Sequence, residues 1–346
     1  MSAFPGVRRA QRLGRAVTTV LRRRSPRGLV LLYHRVAGPR RDPQALDVSC
    51  ERFEEQIALL RRLVTPLPLD EFEARRRSGT LPARALAVTF DDGYADNLLA
   101  AAPILAAHGV PATVFVTAGM VGANREFWWD DAERIAFAPK PLGESVPLLA
   151  VPWSAADGSS CAPGVDHDRW TVLDRSDPTP RHRLYRAMCA ALHAAPPATQ
   201  VAMLTAWREW AGVPEAARAS HRTVSADELR ALAAVPGISI GAHTMTHPAL
   251  ARLPLETQRG ELEESRMRLE HDVGRPVTSV AYPFGTRTDV SAATTRAASA
   301  AGFDYALANE PAPAWRWSSR WRVPRVIVRD LGADVFAQLL DAWFAA

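Results

Sequence analysis

Cysteine is scarce in this chain, and its few copies stand far apart. Cys50, Cys161 and Cys189 are the three in 346 residues, and no two form a CxxC pair. That excludes a zinc ribbon and a disulfide framework, and a reducing compartment is the easier setting. Long apolar runs are missing as well. Nothing approaches the roughly 20 apolar residues of a membrane-spanning helix. The N-terminal run Ala16–Leu21 holds two threonines and is cut off by Arg22, Arg23 and Arg24, which is too short for a secretory signal. The expected location is cytoplasmic.

Acidic residues are absent from the first 28 positions, which hold eight arginines. The rest of the chain has 34 basic and 37 acidic residues, although the whole carries +5. The basic balance therefore belongs to an N-terminal arm, residues 1–26, and not to the body that follows. No nucleic-acid partner is expected, because its electrostatic footprint would lie on the folded domain. The arm has two readings. It is either a basic helix making peripheral contact with the inner face of an anionic membrane, or a solvated tail.

What is present is a large apolar fraction, 47% of residues, enough for a sizeable core. Short apolar runs alternate with amphipathic stretches. Leu29–Tyr33, Ala85–Phe90, Ala112–Thr117, Gly237–Ala242, Val277–Tyr282, Phe303–Ala308 and Val323–Arg329 read as strands. Helical spacing runs over Cys50–Leu63, with Phe53, Ile57, Leu60 and Val64 on one face. Further helices are expected after residue 95 up to Gly109, after a Ser225/Glu228 capping box, and over 255–273, 290–301 and 332–345. Residues 120–222 break this rhythm and read as a mainly helical insertion, with helices near 181–194 and 199–211. Strand–helix alternation predicts a parallel sheet. About seven such units predict an α/β fold, a distorted (β/α) barrel over residues 27–346.

In parallel barrels the chemistry gathers where strands end. His34 follows the first strand, and Asp91 and Asp92 follow the second in "TFDDGY". His243 and His247 follow the fourth in "HTMTH", and "YPFG", Tyr282–Gly285, ends the fifth. Each motif alone has a plain explanation: a turn for Asp-Asp-Gly, packed histidines, a turn with a buried ring. Together, at strand ends, they define a site. Two imidazoles and a carboxylate suit a divalent, zinc-like ion with positions left for water and substrate. His-x-x-x-His brings both rings to one ion if residues 243–247 form a helical turn. The second carboxylate of the pair then acts as base on an acidified water.

The stretches "LAVTFDDGYADN", "GAHTMTHPAL" and "VAYPFG", in this order, resemble the polysaccharide deacetylase family, carbohydrate esterase family 4, with its NodB-homology domain. The resemblance spans roughly residues 27–345. It implies a distorted barrel and metal-dependent removal of an acetyl group from a sugar. By motif, Asp91 resembles the catalytic base, and Asp92, His243 and His247 the metal ligands, with Zn2+ the expected ion. Tyr282 and Phe284 correspond to substrate-contacting positions, and the backbone N–H matching Phe284 helps hold the oxyanion.

Two positions depart from the family pattern. Its base-orienting arginine is replaced by Ala281, and Arg325 is expected to substitute from the neighbouring last strand. Its closing motif, an apolar strand ending in Leu-x-His, is missing after "YPFG", because no histidine occurs beyond His271. "LVLLYHRV" has that form. A barrel has no privileged first strand, so a circular permutation would bring His34 to the place of the catalytic acid. This resembles the permuted branch that includes deacetylases of biofilm poly-N-acetylglucosamine.

Trp129 in "FWWDD" is a candidate to stack on a sugar ring, with core packing the alternative. "PAWRWSSRWR" interleaves three tryptophans with three arginines. It suits an anionic glycan, a lipid-linked sugar phosphate or a single strand, unless it is a connector with packed rings. The expected function is N-deacetylation of an amino sugar in a polysaccharide or its lipid-linked precursor, in assembly of a bacterial surface polysaccharide. The rivals are a deformylase or other C–N hydrolase on a small substrate, and a non-catalytic glycan-binding barrel. The intact Asp91, Asp92, His243 and His247 argue against the last.

Overall fold

The computed structural model describes residues 27–345 except 39–40, 140, 144, 152, 155–156 and 158–166. The basic arm and Cys161 lie outside the described residues. The strands of the barrel ring are β1 Arg27–Tyr33, β2 Ala85–Phe90, β3 Ala112–Val116, β4 Ile238–Ala242, β5 Ser279–Ala281, β6 Tyr305–Ala308, β7 Val323–Pro324 and β8 Val326–Ile327, and the short strands Thr65–Pro66 and Ala314–Trp315 add to β2 and β1 of the same sheet. The helices are α1 Cys50–Leu63, α2 Leu69–Ser78, α3 Ala102–His108, α4 Trp128–Ala136, α5 Pro180–Ala194, α6 Pro197–Ala211, α7 Ala226–Ala234, α8 Leu255–Val273, α9 Ala292–Ala300 and α10 Ala333–Ala345.

β1 pairs in parallel with β2, from Gly28 opposite Ala85 to Tyr33 opposite Phe90. Parallel pairing continues through β3, β4, β5 and β6. The last place in the ring is shared: β7 pairs with β6, β8 pairs with β1, and Arg325 sits on the seam between them. The barrel is thus nearly closed, with the expected seven positions.

The strands read as continuous apolar runs because both of their faces are covered. Leu29, Leu31 and Tyr33 face the helices together with Leu86, Val88 and Phe90. Val30, Ala85, Ala87, Phe115, Ala281, Leu307 and Val323 face inward, where Leu69 and Phe72 of α2 join them. α2 therefore plugs the end where the strands begin. Burying Phe72 contributes roughly 1.5–3 kcal/mol. A Cβ at Gly28 would lie 2.4 Å from the Phe72 ring, so the plug requires glycine there. The opposite end, where the strands finish, is left for the site.

α7 starts at the expected capping box, with Glu228 N donating to Ser225 Oγ and Ser225 N to the Glu228 carboxylate. Within the inserted stretch, α4, α5 and α6 pack around a separate core that includes Ile135, Leu184, Met188 and Trp207. Among the described residues, no helix is long and apolar enough to cross a membrane.

Candidate active site

Tyr33 and Phe90 are register partners, so the residues that follow them, His34 and Asp91, emerge side by side. The Asp91 amide donates to Tyr33 O at 3.0 Å. The chain then turns sharply, with φ of 76° at Asp92 and 81° at Gly93. A left-handed non-glycine residue costs of order 1–3 kcal/mol and is kept only where its surroundings fix it. Here the turn brings the Asp92 carboxylate toward two histidines. His243 Nε2 lies 3.5 Å and His247 Nε2 3.3 Å from Asp92 Oδ1.

His243 Nδ1 is 2.8 Å from Ala281 O. A carbonyl only accepts, so Nδ1 carries the proton and Nε2 keeps its lone pair. Burial pushes the His243 imidazole down to about 4, although Asp91 pulls the other way, so the ring is neutral near pH 7. One ligand atom from each of Asp92, His243 and His247 lies within 4.8 Å of the others, and all three residues are buried. Both Asp92 oxygens are buried without a hydrogen-bond donor. An uncompensated buried carboxylate is costly. Converging with two imidazole nitrogens, it fits a divalent cation.

The segment 243–247 is not the helical turn expected from its spacing. It is an irregular bend with φ of 64° at Thr244 and 62° at His247. Glu261 of α8 holds it, accepting from Met245 N and Thr246 N at 2.9 Å each and from Thr246 Oγ1 at 2.5 Å. Two side chains four apart reach one point here through left-handed residues and an anchored loop. Phe284 and Trp129 flank the His247 ring edge-on, each 4.9 Å away between centroids.

Asp91 lies beside this cluster, its Oδ2 3.8 Å from His243 Nε2. Burial works against its ionisation. The Arg325 guanidinium more than offsets this and holds the carboxyl down at about 2. Arg325 stands in the last strand segment of the barrel, between β7 and β8. β6 lies between β5 and β7, and Arg325 reaches Asp91 from the seam, where β8 joins β1. Its Nη2 also donates to Asn309 Oδ1 at 2.8 Å, and Asn309 Nδ2 donates to Phe284 O at 2.8 Å. Asn309 thus ties the guanidinium to the "YPFG" turn, in which Phe284 is left-handed at φ 59°.

A cavity of about 480 Å³ opens over these groups, lined by His34, Asp91, Asp92, Trp129, His243, His247 and Phe284, among others. His34 is 8% exposed, and its Nδ1 has no hydrogen-bond partner. Burial lowers its pKa, against the pull of Asp92 and Asp91. Trp129 shows the cavity little surface. It is 5% exposed, stacks on Phe127 at 4.6 Å, and donates from Nε1 to Tyr94 Oη at 2.9 Å. Tyr282 does not join the site. It is fully buried in the main core and does not line the cavity, because its side chain points outward to the helices while its turn points to the rim. Two supporting residues were not legible beforehand. Asn309 stands just past a strand end, where the strand-end rule could have found it. Glu261, inside a charged helix, gives no local signal.

This arrangement of neutral imidazoles, a paired carboxylate and a second carboxylate locked by arginine, at the strand ends of a parallel barrel, defines a hydrolase of the deacetylase type. The chain belongs to the polysaccharide deacetylase family, whose sequence profile matches residues 78–144 and 199–306. The fold is similar to that of the Streptococcus pyogenes deacetylase PplD in complex with acetate, at 15% identity and a TM-score of 0.57, over 91% of this chain and 99% of that one. It is similar to IcaB from Ammonifex degensii, at 18% identity and a TM-score of 0.55, over 92% and 97%. A de-N-acetylase from Aggregatibacter actinomycetemcomitans matches at 15% identity and a TM-score of 0.54, over 91% and 100%. No curated protein sequence matches this chain. His34 and Arg325 both lie outside the residues matched by the family profile.

Proposed function

We propose that this protein is a divalent-metal-dependent N-deacetylase of an amino sugar in a polysaccharide or its lipid-linked precursor. In this reading Asp92, His243 and His247 hold the ion, most readily Zn2+ given two imidazoles and one carboxylate. Asp91 is the general base, Arg325 orients it, and His34 is the general acid. The observation that carries the reading is the convergence of Asp92 with His243 Nε2 and His247 Nε2 at 3.5 and 3.3 Å, with Asp91 alongside.

When bound, the ion supplies a Lewis acid for the acyl oxygen and acidifies a water. Asp91 accepts the proton of the attacking water as it adds to the carbonyl carbon. A carboxylate held at about 2 is a weak base, so it suits only a water much more acidic than bulk water. His34 delivers a proton to the leaving nitrogen. The ring must first take up that proton: burial opposes this, while the nearby Asp92 and Asp91 carboxylates favour the charged form. The C–N bond then breaks, giving acetate and a free amine. The Phe284 amide is the proposed donor to the oxyanion, and Phe284 and Trp129 shape the cavity wall beside His247.

Acetate and formate release from N-acetylated and N-formylated glucosamine oligosaccharides, with metal-stripped and metal-restored protein, tests this reading. Acetate release that returns with metal is expected. Formate release that exceeds it on short sugars would favour the deformylase reading. Tight oligosaccharide binding with no release would favour a non-catalytic barrel.

A further inference from the structure

The end of the barrel remote from the cavity carries an aromatic and cationic face that the deacetylase reading leaves unused. Ala314 and Trp315 add to β1 as a short antiparallel strand, opposite Gly28 and Arg27. The loop that follows is held by Arg76 of the plug helix α2, whose side chain is fully buried. Its Nη1 donates to the carbonyls of Trp315 and Ser318, while Nε and Nη2 bind the Glu73 carboxylate at 2.7 and 2.6 Å. A guanidinium committed to so many fixed groups makes the loop a rigid platform.

On that platform the Trp315 and Trp317 rings stack at 5.2 Å and 11°, and Trp317 remains 53% exposed. The Arg27 guanidinium lies 4.9 Å from the Trp315 ring centre, and that of Arg320 4.6 Å from the Trp321 ring centre. Arg316 and Arg320 are exposed, and neither pairs with a carboxylate among the described residues. Of the acids on α2 and α10 at this end, Glu71 is matched by Arg75 at 2.7 Å and Asp341 by Arg84 at 2.9 Å, while Asp70 accepts from the Tyr305 hydroxyl at 2.6 Å. The end of α10 joins the same face, with Phe344 under the Arg84 guanidinium at 4.7 Å. The chain enters the barrel here at Arg27, and the 26 residues before it in the sequence include seven arginines and no acid.

We infer that this face docks on an anionic phospholipid surface, with Trp317 at the headgroup level and Arg27, Arg316 and Arg320 against lipid phosphates. An amphipathic indole suits the bilayer interface, and guanidinium groups suit phosphate. A single strand of nucleic acid fits less well. It needs successive ring platforms along a basic groove, whereas here two rings stack on each other and one face is free. β1 spans roughly 20 Å between this face and the rim. A docked molecule therefore turns its cavity away from the bilayer, toward a polymer chain in solution and not toward a sugar attached to lipid in the same leaflet. Only this last consequence rests on the deacetylase reading.

Co-sedimentation of the full chain with phosphatidylcholine vesicles, with and without phosphatidylglycerol, tests the docking. The intact chain should bind the anionic vesicles alone, more weakly as salt rises. Combining Arg316→Gln, Arg320→Gln and Trp317→Ala should weaken binding by about tenfold or more, with the arm present and acetate release from a soluble oligosaccharide unchanged. Arg259→Gln, on exposed α8 surface, should have no effect. Arg316→Gln alone, a fully surface change, should still reduce binding if the combined variant misfolds. The inference is overturned if the intact chain ignores anionic vesicles or binds neutral ones equally well. It is also overturned if the face variants bind like the parent, or if the face binds a single-stranded oligonucleotide and no vesicle. Because vesicle binding is read without any sugar, its failure leaves the deacetylase reading standing, and the reverse also holds.

Discussion

Arg325 and Asp91 meet fork to fork, Nη1 to Oδ1 and Nη2 to Oδ2, both at 2.7 Å and both fully buried. The pair fixes the carboxylate plane and sets its basicity. Its folded pKa, about 2, lies below the ordinary 3.8. The contribution to stability is therefore present above about 4 and is lost as pH falls toward 2. Arg325→Met would leave a buried carboxylate unpaired, at a cost of roughly 3–5 kcal/mol. Burial would then raise the Asp91 pKa. Urea unfolding should show the loss, and the acid limb of the kcat/KM profile should move to higher pH. An unmoved acid limb would mean that Asp91 is not the titrating base.

His243→Ala and His247→Ala should each lower metal content and turnover together, as measured by elemental analysis and acetate release. Asp91→Asn should keep the metal and lose most turnover, because an amide cannot accept the proton of water. If Asp91→Asn emptied the site while Asp92→Asn filled normally, the two roles would be exchanged.

His34→Ala should keep the metal and the melting temperature but lose a factor on the order of 10²–10⁴ in rate. Sugars with a better leaving group on the acyl carbon should be affected less, since they need less protonation. Equal loss on all substrates would point to a packing role for the imidazole.

Glu261→Ala would strip the partners from Met245 N, Thr246 N and Thr246 Oγ1. Metal affinity should fall on the order of 10–100-fold, the size expected when a ligand's support is removed. Glu261→Gln, which keeps an acceptor oxygen, should recover part of it. A titration with unchanged affinity in both variants would show that the bend holds itself.

His221 is buried, and burial, followed by the charges of Arg35, Arg218 and Arg134, depresses it to about 2. The unfolded chain binds a proton near 6.5 that the native state refuses, so this residue costs stability as pH falls below about 6.5. The slope is about 1.4 kcal/mol per pH unit. His221→Gln should flatten the acid side of the stability profile between pH 6.5 and 4. An identical slope in both proteins would show that the ring is protonated in the folded state.

Which strands would form, and what would stand at their ends, was legible in the sequence, because both are local properties. Runs such as Leu29–Tyr33 and Ala85–Phe90 are apolar enough to be buried on both faces. In a parallel barrel the chemistry gathers where the strands end, so His34, Asp91, Asp92, His243 and His247 could be read in order. The capping box at Ser225 and Glu228 is likewise a matter of four consecutive residues. Tertiary structure alone decided how these groups meet. Asp91 and Arg325 are 234 residues apart, and only closure of the ring at the seam brings them within 2.7 Å. The bend at 243–247 takes its shape from Glu261 on another element, so spacing alone suggested the wrong geometry. Tyr282 stands in a motif at the rim, but its side chain faces the core, since the pleat sets the direction and the motif does not. Strand formation follows from nearest neighbours along the chain, whereas ion pairs, anchored bends and side-chain facing depend on groups that only closure of the barrel brings together.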